Sequence, residues 1–507
     1  MPRVISVFLP TLSTDRVRRK AGDTAPPPET PLILVGRDGR RRVVLAADAA
    51  AQAAGLRVGM PASKAQALVQ GLVIKDADPT ADAEALERTA FWMLQRVAPI
   101  VAADLPDGIV IDSAGADHLH GGEAATLAIL VEKLASVGLR ARTAIADSWG
   151  AAHALARFDP RPGFVSEPRN AARDVAPLPI AALRLAPDMV RDLRVLGFDS
   201  VSDLLAQPRA PLALRFGPEL GRRLDQAIGR LAEPIEPIRP EALIEVRRAF
   251  AEPIGAAQTV ARYIGQLATH LCDALEQRGL GARRLDLICQ RVDSQAQAVR
   301  VGTGLPLRDV KRMTRLLCDK IETIDPGFGI EVMTLAATVT EPLLAKQASS
   351  DLIDPPEPDV SGLIDLLANR VGEKNLYRAA PVASDVPERT VRHIPALSPD
   401  TGADWPGHWP RPSRLLTHPE AIDTLALLPD HPPASFTWRS VRRRVKRADG
   451  PERIFGEWWK RDPELTAVRD YFRLEDDAGE RYWVYRAGDG EDPLTGSQRW
   501  FLHGIFG

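Results

Sequence analysis

The pattern of apolar and polar positions opens with residues 4–9, an apolar run stopped by Pro10, which predicts a buried strand at the start of the chain. Residues 16–30 are polar and Pro-containing and read as a loop. Residues 31–35 and 42–47 predict a strand pair about the turn Asp38-Gly39. Residues 49–54 and 62–72 predict two short helices joined through Gly55-Leu56-Arg57-Val58-Gly59-Met60-Pro61. Residues 83–97 have helical periodicity and lead into residues 107–123. There Ile109-Val110-Ile111 is bracketed by Asp107 and Asp112 and followed by a Gly-rich turn, the pattern of a buried strand with carboxylates at its ends. A helix over 124–137, a strand over 140–146 and a helix over 150–157 complete an alternation that argues for α/β layers.

Residues 177–229 change character. Two short periodic stretches flank Gly197, which predicts a helical hairpin whose backbone N–H groups can face a phosphate; a plain helical corner is the other reading. Arg215, Arg222 and Arg223 follow on a helical stretch. Residues 244–344 read strand, helix, strand, strand, helix, strand, a compact sheet with two helices on one face. A polar stretch and one helix over 361–371 come next. Fourteen of the 43 prolines lie between Pro355 and Pro433, so this segment reads as a linker or an extended wrap. Residues 436–507 hold 13 of the 27 Phe, Trp and Tyr and predict a small aromatic-rich β unit. The predicted divisions are 1–165, 166–235, 240–345, 346–435 and 436–507.

Composition changes little in this picture. With 507 residues, 45% apolar and 26% charged, the chain is long enough for several ordinary cores. Its 65 basic and 67 acidic residues nearly cancel, so any nucleic-acid surface has to come from local clustering. Cys272, Cys289 and Cys318 are scattered, with neither disulfide nor zinc spacing. No run of 18 apolar residues and no signal-peptide layout occurs, which predicts a cytoplasmic protein without a membrane role. Local clustering does occur at residues 438–461, where nine Arg or Lys face three acids, interleaved with Phe455, Trp458 and Trp459. Three readings stand: a single-strand DNA surface, a basic face beside core aromatics, or a protein-docking face. His118 and His120 alternate on an extended stretch without further ligands nearby, a turn-side polar pair rather than a metal site.

With the strands placed, the first 345 residues resemble a Y-family (translesion) DNA polymerase: palm and fingers, helix-hairpin thumb, β-α-β-β-α-β little finger. The resemblance implies an α+β multidomain fold, continued by a Pro-rich linker and a β-rich C-terminal unit. That family's first strand leads to Asp-Met-Asp; the matching residues are Phe8-Leu9-Pro10. Its second acidic strand, Asp-Glu-Ala-Tyr-Leu-Asp, is Asp107-Gly108-Ile109-Val110-Ile111-Asp112, so one aspartate stays and the catalytic glutamate is Gly108. The triphosphate-holding Tyr and Arg are matched by Ala49 and Gln52, and a lysine by Arg161. Catalytic residues are therefore expected to be absent, with no resident cofactor. Mg²⁺ would enter only if the chain were an active lesion-bypass polymerase.

Three stretches are similar to one branch, the ImuB-type proteins: residues 107–123, the run Ala146-Asp147-Ser148-Trp149-Gly150-Ala151-Ala152-His153-Ala154-Leu155-Ala156-Arg157, and the terminal Arg499-Trp500-Phe501-Leu502-His503-Gly504-Ile505-Phe506-Gly507. That resemblance implies a non-catalytic adaptor in damage-induced synthesis. It would bind primer-template DNA, the β sliding clamp, an error-prone α-subunit-type DNA polymerase and a small RecA-like accessory protein. Arg215, Arg222, Arg223, Arg283 and Arg284, with the Gly197 hairpin, are the expected DNA contacts. Gln347 and Leu352 sit where relatives carry a clamp-binding peptide; a plain linker is the other reading. A pure protein–protein hub without DNA affinity is a third function the residues allow.

Overall fold

The computed structural model describes residues 3–39, 41–113, 122–343, 359–399, 411–426, 431–457, 468–490 and 492–507. It divides into two units, Met1–Asn369 and Arg370–Gly507.

The first unit begins with β1 (Val4–Phe8), α1 (Leu12–Ala21), β2 (Leu32–Asp38), β3 (Arg41–Ala47), α2 (Ala49–Ala53), α3 (Ala62–Leu68), β4 (Val73–Asp76) and α4 (Pro79–Arg96). Then follow β5 (Ile100–Asp104), β6 (Gly108–Asp112), α5 (Glu123–Ser136), β7 (Arg142–Ala146), α6 (Trp149–Phe158) and β8 (Gly163–Val165). Strand β1 is central in a sheet of order β5-β6-β1-β7-β8. Ile109-Val110-Ile111 is apolar throughout because both faces of this sheet are covered. Ile109 and Ile111 pack with Leu86 and Met93 of α4 and Leu127 of α5, while Val110 packs with the Ala-rich α6. The fingers are a small sheet of order β3-β2-β4.

Within residues 16–30, expected as a loop, Arg16 to Ala21 belong to α1. Two of its arginines are taken up by ion pairs, Arg16 with Asp82 at 2.5 Å and Arg18 with Asp48 at 2.6 Å. A helix held by charge pairs carries no apolar stripe, so periodicity does not show it.

Five short helices follow: α7 (Ala171–Val175), α8 (Pro187–Val195), α9 (Val201–Leu205), α10 (Arg209–Phe216) and α11 (Pro218–Ala227). They pack on the outer side of α6. The little finger is β9 (Ile244–Ile254), α12 (Ala257–Gln277), β10 (Leu280–Arg291), β11 (Ala296–Leu307), α13 (Val310–Cys318) and β12 (Ile330–Pro342). Its sheet has order β11-β10-β12-β9, with both helices packed on one face, as the sequence predicts. The other face meets the C-terminal end of α4, whose last carbonyls have no partner inside the helix. Arg300 donates to Leu94 O at 2.5 Å and Arg284 to Gln95 O, while Gln95 Nε2 donates to Thr338 O at 3.0 Å.

The edge strand β11 is closed by α14 (Ser361–Val371), a helix built the unusual way round. Its polar side faces the protein. Asn369 exchanges hydrogen bonds with Gly302 at 2.8 and 2.7 Å, Asp365 accepts from Gly304 N at 2.6 Å, and Arg312 binds Asp365 and Ser361. Leu363 and Leu367 are left exposed. The proline pattern places this helix in a linker over 346–435; its contacts tie it to the little finger, where unpaired strand edges need covering.

The second unit has a two-stranded sheet, β13 (Tyr377–Pro381) with β14 (Val391–Pro395). It also holds a closed six-stranded barrel: β15 (Arg414–Leu425), β16 (Ser435–Trp438), β17 (Val441–Phe455), β18 (Val468–Asp476), β19 (Arg481–Ala487) and β20 (Trp500–Ile505). The barrel thus takes in residues from 414, ahead of the expected start at 436. Strand alternation sorts its aromatics: Phe472, Tyr482 and Trp500 fill the interior, while Tyr471, Trp483 and Tyr485 form a second cluster on the outside. The terminal motif follows the same alternation, with Trp500 and Leu502 inward and Phe501 outward.

His503 is buried in that outer cluster. Its Nδ1 lies 2.7 Å from Tyr471 Oη and its Nε2 3.6 Å from Glu388, which Arg469 holds at 2.7 Å. Burial, and then the Arg469 charge, push its pKa down to about 4 against the pull of Glu388. A histidine lowered in the folded state takes up its proton more readily when unfolded. Its stabilising contribution is therefore present above the ordinary histidine pKa, near 6.5, and is lost as pH falls toward 4. Acidification from pH 7 to 5 should cost the barrel about 2 kcal/mol. Melting curves against pH, with and without His503→Gln, read that slope directly.

Candidate functional site: a guanidinium at the palm

The site is assembled from strand ends. Strands β1 and β6 pair antiparallel with Phe8 opposite Gly108, and Leu9 N–H donates to Asp107 O at 2.8 Å. Strand β5 ends beside them, with Asp104 opposite Gly108. Helix α6 supplies the other wall. Ser148 caps its first turn by accepting from Ala151 N at 3.2 Å, and His153 and Arg157 follow one turn apart on one face.

Arg157 occupies the centre. Its Nη2 lies 2.8 Å from Asp107 and 3.4 Å from Asp104, and its guanidinium stands 4.7 Å over the Phe8 ring. His153 Nδ1 is 2.8 Å from the same Asp104 carboxylate. A Cβ at position 108 would sit 2.5 Å from Arg157 Nη2 and 3.0 Å from Asp104 O. The side chain missing at Gly108 is therefore the space the guanidinium uses.

Burial alone would raise the pKa of Asp104, but His153, Arg157 and Arg184 together hold it below the usual carboxylate range. Burial also holds His153 below its ordinary value, against the opposing pull of Asp104. At neutral pH the ionised Asp104 thus faces the permanent Arg157 cation and a neutral His153 imidazole.

Two magnesium ions do not fit these residues. Phe8, Pro10 and Gly108 offer no side-chain oxygen, and Asp107 is already bonded to a cation that would repel a second. Among the described residues, no cluster of three or more His, Cys, Asp or Glu is placed to hold a metal ion.

The expected triphosphate positions are also turned to structural use. Ala49 opens α2, and Gln52 Nε2 folds back onto Ala47 O at 2.7 Å. Arg161 is bound to Asp159 at 2.8 Å and lies 3.9 Å over the Phe164 ring.

The expected DNA contacts fare unequally. Gly197, at φ 83°, ends α8; its N–H and that of Phe198 bond to Arg194 O and Leu193 O. At the start of α9, Asp203 already accepts from Asp199 N at 3.0 Å and Ser200 N at 2.8 Å. This hairpin satisfies its own donors, so the expected phosphate-facing amides are occupied. Arg222 and Arg223 share Glu219, and Arg223 also reaches Glu233 at 3.1 Å. Arg283 binds Gly304 O and Arg284 binds Gln95 O. Arg215, exposed beside Phe216, has no ion pair among the described residues. Gln347, Leu352, His118 and His120 lie outside the described residues.

Asp104, His153 and Arg157 were missed by sequence reasoning as a site. One signal was present: His153 and Arg157, four apart, are polar residues in an otherwise small and apolar helix that also carries Trp149-Gly150-Ala151-Ala152.

Residues 27–157 match the impB/mucB/samB family. Protein ImuB of Caulobacter vibrioides is 45% identical over 463 residues, covering 89% of this chain and all of that protein. A DNA polymerase IV from Xanthomonas axonopodis pv. citri is 27% identical over 51% of this chain and 71% of its own length. A crystal structure of DinB from Sulfolobus solfataricus aligns with 66% of this chain and 98% of that one, at 14% identity and a TM-score of 0.39. With the whole length of the Caulobacter protein matched at nearly half its residues, the chain belongs to the ImuB family.

Proposed function

We propose that this chain is a non-catalytic adaptor of translesion synthesis after DNA damage. It holds primer-template DNA and links an error-prone α-subunit-type polymerase to the β sliding clamp, together with a small RecA-like accessory protein. The observation that carries the non-catalytic part is Arg157 standing where a two-metal site would need cations of its own.

Two-metal phosphoryl transfer needs carboxylates to fix ions about 3.5–4 Å apart. Mg²⁺ gives up its water reluctantly and binds isolated carboxylates weakly. A carboxylate pair already bonded to the Arg157 guanidinium, with His153 on Asp104 as well, has little left to offer a divalent ion. Loss of the triphosphate contacts at Ala49 and Gln52 removes positioning as well. The DNA and partner parts of the reading rest on family membership and on Arg215, exposed and without an ion pair among the described residues; residues 347–352 are the proposed clamp peptide.

Primer extension and DNA binding test it together. Pure protein with Mg²⁺ or Mn²⁺ should add no nucleotide to a primed template. Fluorescence anisotropy at low salt should show micromolar or tighter binding to the same DNA, weakening steeply with salt and indifferent to sequence. Template-dependent incorporation would restore the alternative, an active Y-family lesion-bypass polymerase. Absence of binding would leave only the protein hub.

A further inference from the structure

The arginines of β17 fall into two classes. Those that build the barrel are given acids: Arg443 binds Asp476 at 2.9 Å and Glu480 at 2.5 Å, and Arg453 binds Asp470 at 2.8 Å. Arg442, Arg444, Lys446 and Arg447 are exposed and form no ion pair among the described residues. Among the described residues, one side-chain hydrogen bond reaches the row, a long one from Arg442 Nη2 to Ser435 Oγ at 3.4 Å.

Their placement follows from the register. Phe436, which faces the barrel interior, lies opposite Arg443, so Arg443 points inward and its neighbours Arg442 and Arg444 point out. Val445 packs inward, and a bulge between Val445 and Arg447 leaves Lys446 and Arg447 both outside. Alternate residues on a strand are about 6.6 Å apart. That spacing is on the scale of successive phosphates along a nucleic-acid strand.

The flanking residues add little negative charge. Ser435 and Thr437 lie opposite Arg444 and Arg442. Asp423, opposite Thr437, and Glu475, opposite Arg447, form no ion pair with the row. Apart from Leu425 and Val441 at its margins, these neighbours supply no apolar anchor of the kind a protein interface is built around.

We propose that the outer face of β17 is a second nucleic-acid contact, in which Arg442, Arg444, Lys446 and Arg447 track a phosphodiester backbone without reading its sequence. The contact would belong to the barrel unit and is separate from the polymerase-like unit's grip on primer-template DNA proposed above.

The test uses the full chain with Arg442→Ala, Arg444→Ala, Lys446→Ala and Arg447→Ala combined, against wild type. Anisotropy of a labelled single-stranded oligonucleotide and of a blunt duplex is followed across salt. Removing four phosphate contacts should lower the slope of log affinity against log salt by about 3 on single strands. Affinity at low salt should fall at least tenfold, with the melting curve unchanged because the four side chains are exposed. A larger loss on the oligonucleotide than on the duplex identifies a single strand as the occupant, and the reverse identifies duplex. If wild type binds primed DNA and the variant keeps its full affinity and slope on both probes, the β17 proposal fails while the adaptor reading stands. Displacement of the oligonucleotide by an acidic polypeptide at lower charge concentration than by competing DNA would also overturn it, in favour of a protein partner. If wild type binds no DNA at all, both proposals fall.

Discussion

Arg157→Ala should destabilise the first unit by about 3 kcal/mol, because it strands two carboxylates that share one guanidinium at the end of a buried sheet. Asp107 is partly solvated and bears the smaller share; Asp104, nearly buried, bears the larger. Arg157→Lys should recover only part of the loss, since an ammonium cannot lie flat over Phe8 while reaching both acids. Urea unfolding of the three proteins measures the effect.

A divalent ion discriminates the reading further. Millimolar Mn²⁺ should raise the midpoint of Arg157→Ala and leave wild type where it is. An equal response in both would mean that the guanidinium is not standing in a cation's place. Gly108→Ala should cost less than Arg157→Ala in the wild-type background and still less when Arg157 is already removed, because the collision is between those two positions.

Asp470→Ala should be the most damaging single change in the second unit. Arg453, Asp470 and Arg486 stand side by side across β17, β18 and β19, with Asp470 accepting from Arg453 at 2.8 and 3.0 Å and from Arg486 at 2.8 Å. Asp470 is fully buried and the Arg486 side chain is only 4% exposed. Removing the acid leaves Arg486 as an uncompensated buried charge, at a cost on the order of 3–5 kcal/mol. The barrel's melting transition should fall by roughly 10 °C or more. Arg453→Ala, which removes a half-exposed partner and leaves Asp470 bonded to Arg486, should cost clearly less. Scanning calorimetry of the full chain distinguishes the two; equal costs would contradict the account.

That Phe8, Pro10 and Gly108 bring no side-chain oxygen to this corner of the palm is plain from the sequence, and no folding is required to see it. What fills the space is not. Arg157 is 49 residues from Gly108 in sequence, and only the packing of α6 against β1 and β6 brings its guanidinium to the vacated corner. The six expected DNA contacts are a different case. A list of basic residues and a Gly turn says nothing of their partners, and Glu219, Arg194, Gly304 and Gln95 turn out to bond five of the six.

By itself the sequence determined the elements with strong periodicity: the both-faces-buried strand at Ile109, the little finger's strand and helix order, and the aromatic wealth of the C-terminal unit. These depend on local side-chain patterns that survive without knowledge of neighbours. Tertiary structure alone decided where charge goes. It made α14 a polar-side-in cover for β11, divided the β17 arginines into those with and those without an ion pair among the described residues, and set Arg157 among Asp104, Asp107 and Phe8. An ion pair joins residues distant in sequence, and its energy depends on separation and burial, which only the folded chain defines.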